Sequence, residues 1–221
     1  MDLFLILIII LVPLLADFNV KRTYKNYLGV ENNQKLTGQE VARKILDKNG
    51  LDKVYVVETT GYLSDHYDPK RKTVRLSKAV FEGETVAAIA IAAHECGHAI
   101  QDKEGYLYMK VRSAIFPVVN IATSISYYII LIGFLLQILD MIYLGIAFTV
   151  LGLIFQIVTL PVEFNASSRA KKQLDELHIV QKEEASGVNK VLKSAALTYV
   201  AGVLASAAQI LRLILAARSN D

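Results

Sequence analysis

The sequence predicts a mainly α protein, an integral membrane helical bundle with a small α+β water-facing portion. Three observations predict it. The 221 residues are 53% hydrophobic, with a mean hydropathy of +0.38, higher than a soluble globular domain usually carries. The excess sits in four long runs without charge, and the rest reads as ordinary soluble sequence. The 24 Lys and Arg gather in the segments between those runs.

The first run is Leu3 to Ala16, fourteen uncharged residues between Asp2 and Asp17, which Phe18 to Val20 could lengthen. A signal peptide carries a basic n-region. This chain begins Met1-Asp2, so residues 1–20 read as an uncleaved membrane anchor.

Residues 21–113 form the first water-facing portion. Thr37-Gly38-Gln39-Glu40 has the form of a capping box and Asn49-Gly50 that of a helix stop, so a helix is expected over 38–48. Lys53 to Thr59 and Lys72 to Ser77 are β-branched and alternating, as short strands are. Gly61 to Arg71 between them, with Asp65, His66, Asp68 and Pro69, reads as a loop. Glu84 to Gln101 reads as a helix, apolar nearly all round at its start and therefore buried.

Two runs follow. Ser113 to Leu139 gives 27 uncharged residues and Met141 to Val162 another 22. About 20 apolar residues cross a hydrocarbon core. Residues 114–162 are thus a transmembrane helical hairpin, with its turn at Asp140 and Met141. Residues 163–193 return to water as a helix. Ser194 to Leu211 is the last run, 18 uncharged residues rich in Ala, Gly and Ser. Small residues let helices approach closely in a bilayer, and residues 194–217 form the C-terminal transmembrane helix. Arg218 to Asp221 read as a short tail.

Basic residues orient the spans. Sixteen of the 24 lie between Asp17 and Ser113, six between Glu163 and Lys193, and Arg212 and Arg218 remain. With four crossings the two rich segments share one side, the cytoplasm, and both chain ends face outward. The expected setting is a multi-pass protein of the cell membrane, with the lipid bilayer as its solvent.

Composition also excludes some classes. A net charge of +3, with no basic stripe interleaved with aromatics, gives no sign of nucleic acid. One cysteine, Cys96, rules out an intrachain disulfide and a cysteine-cluster metal site. The spans lack ionisable residues apart from their ends and Arg212, which speaks against a transporter or channel. No feature of the sequence specifies an oligomeric state.

His94-Glu95-Cys96-Gly97-His98 carries the chemistry. On a helix, positions four apart lie on one face, so both imidazoles can aim at one metal ion. Glu95 lies about 100° round the helix from His94. It can reach a water at the ion without binding the ion, as general base and then general acid. The chain holds four histidines, and two of them stand in this pentapeptide. A catalytic zinc needs a third protein ligand and one open position. The candidates are Glu163, His178, His66 or another carboxylate. Glu163 is preferred on position, because it ends a span after an even number of crossings, on the membrane face of His94 and His98. His178 and Arg169 could stabilise an oxyanion, but solvent or headgroup contact explains each more simply. His66 beside Asp65 reads as a solvated loop histidine, with an accessory metal site as the alternative. Cys96 reads as a small apolar core residue.

Thr85 to Gln101, Leu160 to Ala170 and Ala195 to Ala201 together resemble the YugP-type membrane zinc metallopeptidases, over nearly the whole chain. More distantly the chain is similar to the gluzincin proteases of HtpX type, in which a helix hairpin also separates the two motifs. The resemblance implies a zincin-type active-site helix and one Zn2+ held by His94, His98 and Glu163. It implies hydrolysis of protein or peptide substrates, with Glu95 as the catalytic residue. Ser167 stands where the HtpX-type pattern has an Asp. The resemblance also casts Thr73 to Ser77 as an edge strand to which an extended peptide could add. The rival reading is a membrane scaffold or regulatory protein with a structural or vestigial zinc.

Overall fold

A computed structural model describes residues 2–218. Its helices are α1 (Asp2–Leu28), α2 (Gly38–Lys48), α3 (Lys78–Phe81), α4 (Val86–Glu104), α5 (Leu107–Leu136), α6 (Leu139–Glu176) and α7 (Lys182–Arg218). Its strands are β1 (Tyr55–Thr59), β2 (His66–Asp68) and β3 (Thr73–Ser77). The fold is mainly α, a helical bundle with one small sheet. Of the tail expected from Arg218 onward, Arg218 closes α7 and the other three residues lie outside the described ones.

Among the described residues four helices, α1, α5, α6 and α7, are long and apolar enough to cross a membrane. In their most apolar stretches only 6%, 22%, 17% and 28% of the residues are buried inside the protein. A helix in water turns its apolar stripe inward. These turn Leu3, Leu14, Ile121 and Leu135 outward instead, the arrangement suited to lipid, where the backbone bonds itself and the side chains meet acyl chains. Pro13, Pro117 and Pro161 lie inside α1, α5 and α6 without ending them.

The chain divides into two units. The first comprises the start of α1, nearly all of α5, α6 up to Pro161 and the C-terminal part of α7. Ile142, Ile146, Ile210, Leu213 and Ala217 form its buried cluster. Gly133 and Gly145 bring the hairpin arms together. A Cβ on Gly133 would stand 2.9 Å from the backbone nitrogen of Ile142, and one on Gly145 3.2 Å from that of Ile130. The hairpin turns at Gln137 and Ile138, with Gln137 at φ 56°, and Asp140 falls in the first turn of α6. The turn is thus earlier than the break in apolarity suggested, because an acidic residue is favoured at a helix start.

The second unit holds the remainder of α1, α2 to α4, the sheet, the end of α6 and the start of α7. Thr37 and Glu40 form the capping box of α2 as expected. The buried face of α2, with Val41, Ile45 and Leu46, packs on α4. The sheet order is β1-β3-β2, with β3 parallel to β1 and antiparallel to β2. This corrects two expectations. The segment read as a loop contains β2, and Thr73–Ser77 is the central strand rather than an edge. Beyond the end of β2, the Asp65 carboxylate accepts hydrogen bonds from the Ser77 N–H at 2.7 Å and the Ser77 hydroxyl at 3.0 Å. The edge of β3 beside β2 is therefore covered along its length. The stretch 163–193 is two helix ends rather than one helix. His178 adopts φ 52°, and Ile179 N–H donates to the Leu174 carbonyl at 2.9 Å, a Schellman-type stop between α6 and α7.

Candidate metal centre

α4 is fixed at both ends. The Thr85 hydroxyl accepts from the Ala88 N–H at 3.2 Å. At the other end Gly105 takes φ 66°, and the Tyr106 N–H donates to the Gln101 carbonyl at 2.9 Å. Between these caps most of the helix is buried, including Glu95 and His98. One turn separates His94 from His98, and their rings lie 4.8 Å apart between centroids with planes at 85°.

The third group arrives from α6. Oε2 of Glu163 lies 3.3 Å from Nε2 of His94 and 3.6 Å from Nε2 of His98. One ligand atom from each of the three residues falls within 4.8 Å of the others. Bond lengths of about 2.0–2.2 Å around tetrahedral zinc put its donor atoms roughly 3.3–3.6 Å apart. The two separations match such edges better than they match hydrogen bonds, which run about 2.7–3.2 Å. Two neutral imidazoles and one carboxylate form a donor set that zinc accepts, so the residues present fit the metal. Their side chains are 15%, 10% and 4% exposed for His94, His98 and Glu163, so His94 forms the more open rim.

Gly97 is what lets α6 come so near. A Cβ there would stand 2.6 Å from the carbonyl oxygen of Ala166 and 3.1 Å from its Cα. Ala166, Ser167 and Ala170 continue the buried face of α6 that begins at Glu163. On that face the Ser167 hydroxyl lies 3.2 Å from Nδ1 of His94. The serine hydroxyl is thus within hydrogen-bonding reach of the first imidazole.

Glu95 is buried, and burial raises its carboxyl above the usual range, against the opposing pull of the two imidazoles. A raised carboxyl suits a group that must accept a proton and release it near neutral pH. Asp65 adds its own charge near Glu95. Burial pushes the Asp65 carboxyl up, while the bonds from Ser77 work the other way. His66 lies exposed on β2 with Nδ1 2.7 Å from the Ser64 carbonyl, and His178 is exposed at the α6–α7 break. Neither joins the three-residue cluster. Arg169 donates to Asn165 at 2.7 Å and pairs with Glu104 at 2.6 Å, so it is a structural tie rather than a free cation.

A family model described as "Putative neutral zinc metallopeptidase" matches residues 2–218. The chain belongs to this family. A relative in Bacillus subtilis (strain 168), "Putative membrane protease YugP", is 48% identical over 200 residues, covering 90% of this chain and 89% of the relative. No solved structure matches the chain. Within this zinc metallopeptidase family chain, the pentapeptide supplies two of the three converging groups and a residue 65 positions beyond His98 supplies the third.

Three residues around the centre escaped sequence reasoning: Gly97, Gln101 and Asn165. Gly97 carried a usable signal, since an isolated glycine inside a helical pattern often marks a close approach of backbones. Gln101 and Asn165 look like ordinary polar helix residues until α4 and α6 are laid together. Gln101 is wholly buried, which no local pattern announces.

Proposed function

We propose that this chain is a membrane-bound zinc metalloendopeptidase that hydrolyses peptide bonds of membrane-associated proteins or peptides near the cytoplasmic face. In this reading His94, His98 and Glu163 hold one zinc, and Glu95 is the catalytic residue. The observation that carries it is the approach of the Glu163 carboxylate to both Nε2 atoms, at 3.3 and 3.6 Å. When bound, zinc supplies Lewis acidity toward a carbonyl and lowers the pKa of a water. The protein does the rest. Glu95 takes a proton from the attacking water and returns it to the leaving amine, a transfer its raised carboxyl favours. Ser167 holds His94 in register.

Three protein ligands leave one coordination position open, which supports catalysis over a closed structural site. Among the described residues no fourth His, Cys, Asp or Glu joins the cluster. The basic residues of segments 21–113 and 163–193 support a cytoplasmic location for both, between an N-terminal anchor, the hairpin and a C-terminal span.

The test uses full-length protein purified in detergent. The parent is expected to carry one zinc and to cleave an unstructured protein, and Glu95→Gln to keep the zinc while losing cleavage by about 10²-fold or more. Equal cleavage by variant and parent would remove Glu95 from the mechanism.

A further inference from the structure

Gln101 is fully buried and spends its whole side-chain amide on the metal centre's surroundings. Its Nε2 donates to the Val162 carbonyl at 2.8 Å and to Oδ1 of Asn165 at 2.9 Å. Its Oε1 lies 3.0 Å from Nδ1 of His98. Asn165 Oδ1 also accepts from Nε of Arg169 at 2.7 Å.

The polarity of this chain of bonds is fixed by two groups that cannot reverse. A backbone carbonyl only accepts, and a guanidinium only donates. Val162 therefore forces the Gln101 nitrogen toward α6, and Arg169 forces the Asn165 oxygen toward Gln101. With its nitrogen so placed, Gln101 turns its oxygen to His98, and an amide oxygen can only accept. Nδ1 of His98 must then carry the proton. The lone pair is left on Nε2, the atom 3.6 Å from Glu163. The opposite tautomer would set two lone pairs face to face beside a fully buried amide, which is unfavourable.

We infer that Gln101 is a positioning residue that fixes the Nδ1–H tautomer of His98 and ties it to α6 through the carbonyl of the residue preceding Glu163. The second imidazole and the third ligand are thereby held by one amide, so their separation is set by a bonded path rather than by helix packing alone. The partner is neutral. Among the described residues neither imidazole has a carboxylate on Nδ1: His98 has this amide and His94 the Ser167 hydroxyl. The inference rests on the metal-site reading above only for its effect on zinc. The tautomer stands independently.

The experiment reads both. Histidine-15N-labelled full-length protein in detergent reports which nitrogen of His98 bears the proton, zinc-loaded and also metal-free at alkaline pH. Chelator competition gives the zinc Kd. The parent is expected to show Nδ1–H on His98. Gln101→Met, which matches the length without polar atoms, is expected to show mixed tautomers without metal and a zinc Kd raised about 10–100-fold. Gln101→Glu keeps an oxygen for His98 but has no donor for Val162. It is expected to keep the tautomer and still bind zinc more weakly than the parent, and it serves if Gln101→Met does not fold. A proton on Nε2 of His98 in the parent would overturn the inference. So would a zinc Kd within threefold of the parent in a folded Gln101 variant. A parent that binds no zinc yet shows Nδ1–H on His98 would sink the peptidase reading and leave the tautomer assignment standing.

Discussion

Gly97→Ala adds one methyl group at the tightest point between α4 and α6. The new Cβ would stand 2.6 Å from the Ala166 carbonyl oxygen, where ordinary contact begins at 3.4 Å. The shortfall is 0.8 Å, the difference of those two distances. If the helices share the adjustment equally, each moves by roughly 0.4 Å, and metal sites hold their ligand distances to about ±0.2 Å. Stability responds less clearly. Alanine is favoured over glycine in a helix by about 1 kcal/mol, while overpacking costs about 1–3 kcal/mol. The net cost is about 0–2 kcal/mol, so the unfolding temperature should fall by several degrees at most. Zinc affinity has no such offset, because Glu163 sits one turn before Ala166 and moves with it. The expected result is a zinc Kd raised at least tenfold, about 1.4 kcal/mol, by chelator competition on protein that melts within a few degrees of the parent. Cys96→Ala is the control. It alters the neighbouring residue on the face away from α6, where Sγ lies 3.6 Å from the Ala42 carbonyl, and should leave the Kd unchanged. Parental zinc affinity in a folded Gly97→Ala protein would refute the claim that this contact sets the ligand geometry.

Saturating zinc, at 100 times its Kd, should stabilise the parent by about 2.7 kcal/mol. Glu163→Ala should abolish that shift in thermal melts and lose cleavage as well. Thr37→Ala removes half of the α2 capping box and should cost about 1 kcal/mol in denaturant unfolding, with cleavage unchanged. The folded Asp65 carboxyl holds its proton to higher pH than an unfolded one. Its stabilising contribution is therefore complete in acid and falls as pH rises through the folded value. Asp65→Asn should be relatively more stable than the parent at neutral pH than at acid pH, and unfolding curves across that range check it.

The legible parts of this molecule are those written locally. The pentapeptide His94 to His98 needs only helical periodicity, and Thr37 with Glu40 announces a helix start by spacing alone. Glu163 was legible for a different reason. A lone carboxylate closing a run of 22 uncharged residues is costly unless it is engaged or at the interface. What sequence missed depends on partners far along the chain. β2 is three residues long and polar in composition, and it becomes a strand only because β3 offers it backbone groups. The resemblance cast β3 as an edge, and alternation could not correct it, because strand order is a long-range property. α1 runs to Leu28 through Lys21, Arg22 and Lys25, so a change of polarity marked a change of surroundings rather than a helix end. Gln101 matters only because Val162 and Asn165 come to meet it.

Cys96 has an outcome for the bench. Its thiol is fully enclosed and burial pushes its pKa up, so little thiolate forms to react with alkylating reagents. It is the sole cysteine of the chain. A reporter cysteine can therefore be placed at an exposed position such as Lys70 or Lys182 without first removing a native one. Impermeant maleimides applied to intact cells would then read directly which ends and connections lie inside, on an otherwise unaltered background.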